Sequence, residues 1–189
     1  MKKIIVTLTL FFASMGIMAQ EHLSFKGIPI KGSLTEFCQK LKEKGFVQTG
    51  RQTNPVSFSG DFTGRKAQVN VAATDDGKDV FSVVVFVEPS KEWNALVNTY
   101  NYYKGLYIRK YGKPAVSEEN NPASSDANIF LMHELDQGTV VYGSLWGVTG
   151  GNIQLSIEKT SNSYEGVVMI RYNDTQNVEA KIQKDLEDI

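Results

Sequence analysis

Between Ser33 and Gly45 apolar residues recur at spacings of three and four: Leu34, Phe37, Cys38 and Leu41 fall on one side, Lys40, Lys42, Glu43 and Lys44 on the other. That spacing predicts an amphipathic helix with one buried face. Ser33 and Glu36 form an S-x-x-E capping box at its start, and Gly45 stops it with lysines in the last turn. From Val47 to Val87 the period changes to two. Val56 and Phe58, then Ala67, Val69 and Val71, then Phe81, Val83, Val85 and Val87 alternate with polar neighbours, as half-buried antiparallel strands do. Asp75-Asp76-Gly77-Lys78 separates the last two, and Asp-Gly supplies the positive φ angles that hairpin turns prefer. Val84 and Phe86 make the other face of the final strand apolar too, which predicts a central strand covered on both sides.

Pro89 and Ser90 open a second helix that runs to Tyr111 and is ended by Gly112 and Pro114. Its stripe is Trp93, Leu96, Tyr100, Tyr103 and Tyr107, with Tyr102, Leu106 and Tyr111 on the flanks. Lys113 to Ala127 is polar, carries two prolines and reads as a long connection. Ile129–Leu135, Val140–Trp146, Ile153–Ile157 and Val167–Tyr172 read as four further strands. Asp174 caps a last helix over 174–189, whose apolar face is Val178, Ile182, Leu186 and Ile189. The fold class is therefore α+β: an antiparallel sheet of about eight strands, built from two helix-plus-four-strand halves at about 33–89 and 90–173 and packed against helices. A shift of 86 residues lays Ala67, Val69 and Val71 over Ile153, Leu155 and Ile157, which raises an internal duplication as one account of the pattern.

That order, across roughly Ser33 to Tyr172, resembles the tandem architecture of the beta-lactamase inhibitor proteins, exported chains in which two helix-plus-four-strand units form one sheet. The resemblance implies the same layout and carries over no site residue. Those inhibitors hold disulfides within their units, whereas Cys38 is the single cysteine of this chain. The segment FKGIPIKGSLTEFCQKLKEKGF, Phe25 to Phe46, is similar to the opening of small exported bacterial proteins of unknown function.

The first residues change the picture of where the protein works. Lys2 and Lys3 precede an apolar stretch from Ile4 that fades toward Met18, and Ala19 suits a cleavage site, so Met1–Ala19 reads as a signal peptide and 20–189 as one exported domain. The apolar run is shorter than the roughly 20 residues of a bilayer crossing, and no cysteine follows it to accept a lipid. The expectation is a periplasmic or secreted protein without a membrane anchor. Losing Lys2 and Lys3 takes the formal net charge from −1 to about −3, which gives no pull toward nucleic acid. With no internal disulfide open to it, the domain must be held by packing.

Candidate chemistry is sparse. The chain has 2 histidines. His133 beside Glu134 would point to opposite faces of a strand, which argues against a shared ion, and His22 lies near the mature N-terminus, where disorder is the default. Cys38 sits on the apolar stripe of the first helix and reads as a buried small hydrophobe. Gly147, Gly150 and Gly151 lack the lysine and serine of a phosphate loop and read as a hairpin turn. No catalytic residue, metal ligand or cofactor is assigned. The tyrosine-rich helix is the one feature suited to recognition, since its tyrosines cannot all share one buried stripe. Tyr102 and Tyr107, with Trp146 taken as exposed beside Gly147, are the candidate binding residues. They point to a non-enzymatic module that binds another envelope or extracellular protein; the alternative is a carrier that holds a small apolar or aromatic ligand between the second helix and the sheet.

Overall fold

The computed structural model describes residues 21–50, 53–187 and 189, so the signal segment Met1–Ala19 lies outside the described residues. A short hairpin comes first, β1 (Ser24–Phe25) and β2 (Ile28–Pro29), turned through Lys26 and Gly27 at φ 50° and 79°. Helix α1 (Leu34–Glu43) follows, and Ser33 caps it by accepting from the Glu36 N–H at 3.3 Å. Next come β3 (Val47–Gln48), β4 (Val56–Phe62), β5 (Arg65–Ala73) and β6 (Val80–Ser90), then the long helix α2 (Trp93–Tyr111). The remaining elements are β7 (Val116–Asn120), α3 (Asn128–Gln137), β8 (Val141–Val148), β9 (Gly151–Lys159), β10 (Gly166–Asp174) and α4 (Thr175–Leu186).

The eight strands β3 to β10 form one antiparallel sheet in the order β3-β4-β5-β6-β10-β9-β8-β7, and helices pack against it, so the fold is α+β. Each end of the sheet is an up-and-down meander, and the two meet where β6 pairs with β10, Val85 opposite Ile170 and Val83 opposite Tyr172. Arg65 and Gly151 open β5 and β9, and Val80 and Gly166 open β6 and β10, both 86 residues apart.

Two elements differ from the sequence expectation. Ile129–Leu135 is helical, because Met132 and Leu135 three positions apart turn inward while Ile129 and Phe130 stay exposed, and Gly138 in the left-handed region ends the helix. A short apolar run supports either period, and here packing against α2 and β9 chooses the helix. The eighth strand is instead β7, inside the polar connection; it is an exposed edge strand of Val-Ser-Glu-Glu-Asn, a composition that protects an edge and hides the strand from a hydrophobic pattern.

The core lies between the helices and one sheet face. Val69, Val83, Val85, Val168, Ile170 and Leu155 on that face are fully buried, and α1 lies over β5 while α2 lies over β6, β10, β9 and β8. Cys38 is buried within it. On the second face Val84, Phe86, Gln154 and Arg171 are only half-buried, so β6 is central but not covered on both sides as its composition predicts. Among the described residues no helix is long and apolar enough to cross a membrane.

Candidate functional site

Helix α2 runs along β10 with its first turns tight against the sheet. Gly166 is the reason: a methyl there would stand 2.6 Å from both Leu96 and Leu135, so only a bare backbone lets those leucines in. Toward the other end of α2 the side chains grow. Tyr103 and Tyr107 reach down, Tyr172 reaches up from β10, and the Tyr107 and Tyr172 hydroxyls meet in a hydrogen bond. Two full tyrosine side chains thus stand between helix and sheet where a glycine faced a leucine before.

The space they leave is a chamber of about 270 Å³. Tyr103, Leu106, Tyr107 and Tyr111 of α2 form one wall and Tyr172 the floor. Phe62 and Thr63, at the β4–β5 turn, close one end. Ser24 and Lys26 of the N-terminal hairpin form the lip, with Lys110 across from them. Ser24, Lys26, Lys110 and Tyr111 also line an outer cleft of about 580 Å³ that continues past His22, Gly147 and Thr149.

Aromatic contacts fix the chamber walls. Phe25 stacks on Phe62 at 5.9 Å and meets Tyr172 edge-on at 5.3 Å; Phe62 stacks on Tyr103 at 5.7 Å. Tyr107 lies between Tyr111 at 6.0 Å and Trp146 at 5.4 Å. Each such pair adds roughly 0.5–1.5 kcal/mol beyond burial, so the walls are preorganised. The Tyr103 hydroxyl bonds Thr63 Oγ1 at 2.8 Å and also donates to the Phe62 carbonyl at 3.3 Å. The Tyr107–Tyr172 pair carries two hydroxyl hydrogens and spends one on their mutual bond, leaving one donor beside the chamber.

The lip is held from below by Asp174. Its buried carboxylate accepts from the Leu23 N–H and His22 Nδ1, both at 3.0 Å, and from the Asn177 N–H at 3.1 Å, which also caps α4. His22 is therefore tied down rather than disordered. Gly150, at φ 81°, lets the same segment cross the β8–β9 turn, because a side chain there would strike the backbone at Leu23.

The three sequence-derived residues separate. Tyr107 lines the chamber but is 7% exposed. Trp146 is no exposed anchor: it lies within β8, is 1% exposed, and donates from Nε1 to the Gly112 carbonyl at 2.9 Å. The alternation of β8 turns it inward, opposite Ile153. Tyr102 alone is exposed, at 42%, with the Arg65 guanidinium 5.2 Å over its ring and outside the chamber lining. His133 stands exposed on α3, 6.3 Å from the Tyr164 ring. Ser24, Lys26, Phe62, Thr63, Lys110 and Tyr172 are lining residues that the sequence does not single out as a site. The spacing of Tyr103, Tyr107 and Tyr111 on one edge of α2 is the only local signal of the chamber.

Burial holds the tyrosines protonated. It pushes the Tyr100 hydroxyl up to about 12, partly offset by the hydrogen bond with Ser144, and raises Tyr103, Tyr107 and Tyr172 as well. An unfolded tyrosine ionises near pH 10, so above that pH the folded chain binds more protons than the unfolded one and stability falls as pH rises. Denaturant midpoints are therefore expected to be insensitive to these groups below about pH 9 and to fall from pH 10 toward 12, with native phenolate absorbance lagging the unfolded chain. Native tyrosines that all titrate near pH 10 would contradict the burial described.

Comparison with protein families, curated proteins and solved structures returns no match.

Proposed function

We propose that this chain is an exported, non-enzymatic carrier of a small apolar or aromatic ligand, taken up in the chamber between α2, the N-terminal hairpin and β10. The observation that carries this reading is the chamber itself: about 270 Å³ walled by tyrosines whose rings are fixed by stacking, with a spare hydroxyl hydrogen on the Tyr107–Tyr172 pair. Apolar walls with a few placed polar groups are what small-molecule sites share. Export to the periplasm or beyond rests on Met1–Ala19.

A second reading, binding of another envelope or extracellular protein, is favoured by the uncovered sheet face. There a groove runs along Val47, Ser59, Gln68 and Phe86, and Leu145 and Val116 are exposed at the far end.

One experiment separates the two. A thermal-shift screen of one- and two-ring aromatic compounds on the chain from Gln20 should yield stabilisers, since a ligand at a hundred times its Kd adds about 2.7 kcal/mol, or roughly 5–10 °C here. Leu106→Trp, which fills the chamber, should fold normally by circular dichroism and lose the shift. If no compound stabilises the wild type, the carrier reading falls and the sheet face becomes the working site.

A further inference from the structure

We infer that the ligand of this chamber is an aromatic anion, its ring among the tyrosines and its carboxylate or phosphate held at the neck between Lys26 and Lys110. The inference rests on the reading of the chamber as a ligand site and adds the charge class.

The neck is formed by Ser24, Lys26, Lys110 and Tyr111, which line both the inner chamber and the outer cleft, so both lysines border the passage between the two. Lys26 Nζ donates to the Asp61 backbone carbonyl at 3.2 Å and lies 5.6 Å from the Phe46 ring; Lys110 Nζ lies 4.9 Å from the Tyr111 ring. Among the described residues neither joins an ion pair, whereas Lys78, Lys104, Lys181 and Lys184 do. Among the described residues no aspartate or glutamate lines either compartment. In a chain whose net charge is negative, this mouth has the opposite sign. Lys110 also sits in the last turn of α2, where a lysine offsets the helix dipole. The dipole is equivalent to about half a negative charge and the Asp174 carboxylate beneath the lip adds one more, so the two lysines leave the neck a small positive excess.

The size agrees. An apolar cavity of about 150 Å³ takes up benzene, so 270 Å³ admits a fused pair of rings. The neck groups donate rather than accept, since lysine has no acceptor and the Ser24 hydroxyl can turn to donate. An anionic head satisfies all of them at once, and a cationic head would face two like charges.

Titration of the chain from Gln20 with three naphthalene probes, the carboxylate, the neutral carboxamide and the methylammonium, tests this by calorimetry at low salt. The carboxylate should bind about tenfold tighter than the carboxamide, the methylammonium weakest, and added salt should erode the preference. Lys26→Gln with Lys110→Gln should bring the carboxylate down to the level of the carboxamide and remove the salt dependence of the difference; both positions are exposed, so the fold should tolerate the exchange. Carboxamide binding as tight as carboxylate in the wild type overturns the charge assignment and leaves the aromatic chamber standing. A carboxylate preference that survives the double variant overturns it too. If none of the three binds, the chamber is not a site for such rings, and the carrier reading and this inference fall together.

Discussion

Trp146→Ala is expected to lower stability by about 3–5 kcal/mol, the usual cost of emptying a buried aromatic site, and to lower the melting temperature by roughly 10–15 °C. The indole is among the largest fully buried side chains, it supports Tyr107 from behind, and its N–H satisfies the carbonyl of Gly112 at the end of α2. Trp146→Phe keeps most of the ring volume and should cost less than half as much, the remainder reflecting the lost hydrogen bond. Tyr102→Ala, at an exposed position, should change stability by no more than about 0.5 kcal/mol. Chemical denaturation of the three variants decides the matter. A Trp146→Ala chain as stable as the wild type would mean that the indole stands in solvent after all, as an anchor for a partner.

Asp174→Ala is expected to cost about 3 kcal/mol for a different reason. One carboxylate caps α4 and satisfies the Leu23 N–H in a fully buried setting. A lost cap is worth about 1 kcal/mol, and an orphaned buried N–H adds about 1–3 kcal/mol. Asp174→Asn keeps an acceptor oxygen and should recover part of the loss. The effect should also be local. Amide exchange at Leu23 and Phe25 should quicken more than at β9, because the hairpin loses its tether to β10 while the sheet stays paired. Since Ser24 and Lys26 belong to the lip, a small-molecule ligand of the chamber should bind more weakly to Asp174→Ala even where the chain remains folded. Uniform protection across hairpin and sheet would show that the tether carries no weight.

The fold was largely legible in residue order, and the reasons are specific. The Ser33–Glu36 cap, the alternation through Val69, Val85 and Ile170, and the Asp76-Gly77 turn are local signals whose physics acts within a few residues. What failed was non-local. Ile129–Leu135 needed the helix it packs against to settle its period, and β7 needed a partner strand to be recognised at all. Trp146 beside Gly147 looked like a turn residue, but the β8–β9 turn lies farther on, at Thr149 and Gly150, and that shift sends the indole inward. The chamber was legible only as a surplus of tyrosines on one helix. Its other walls come from residues 24, 26, 62, 63 and 172, and no pattern within a segment announces that they converge.

The seam between β6 and β10 has a consequence for how the chain reaches this structure. Val83 and Tyr172 pair across 89 positions of sequence, and among the described strands β10 is the last to be made. Until it arrives, β6 offers an eleven-residue edge with Val83, Val85 and Val87 on one side, an open template for any passing strand. Closing so long a loop costs little more than closing one half its length, since the entropy grows only as the logarithm. The delay is thus one of timing, not of free energy: the first meander waits until Gly166–Asp174 has been made before its longest strand is covered.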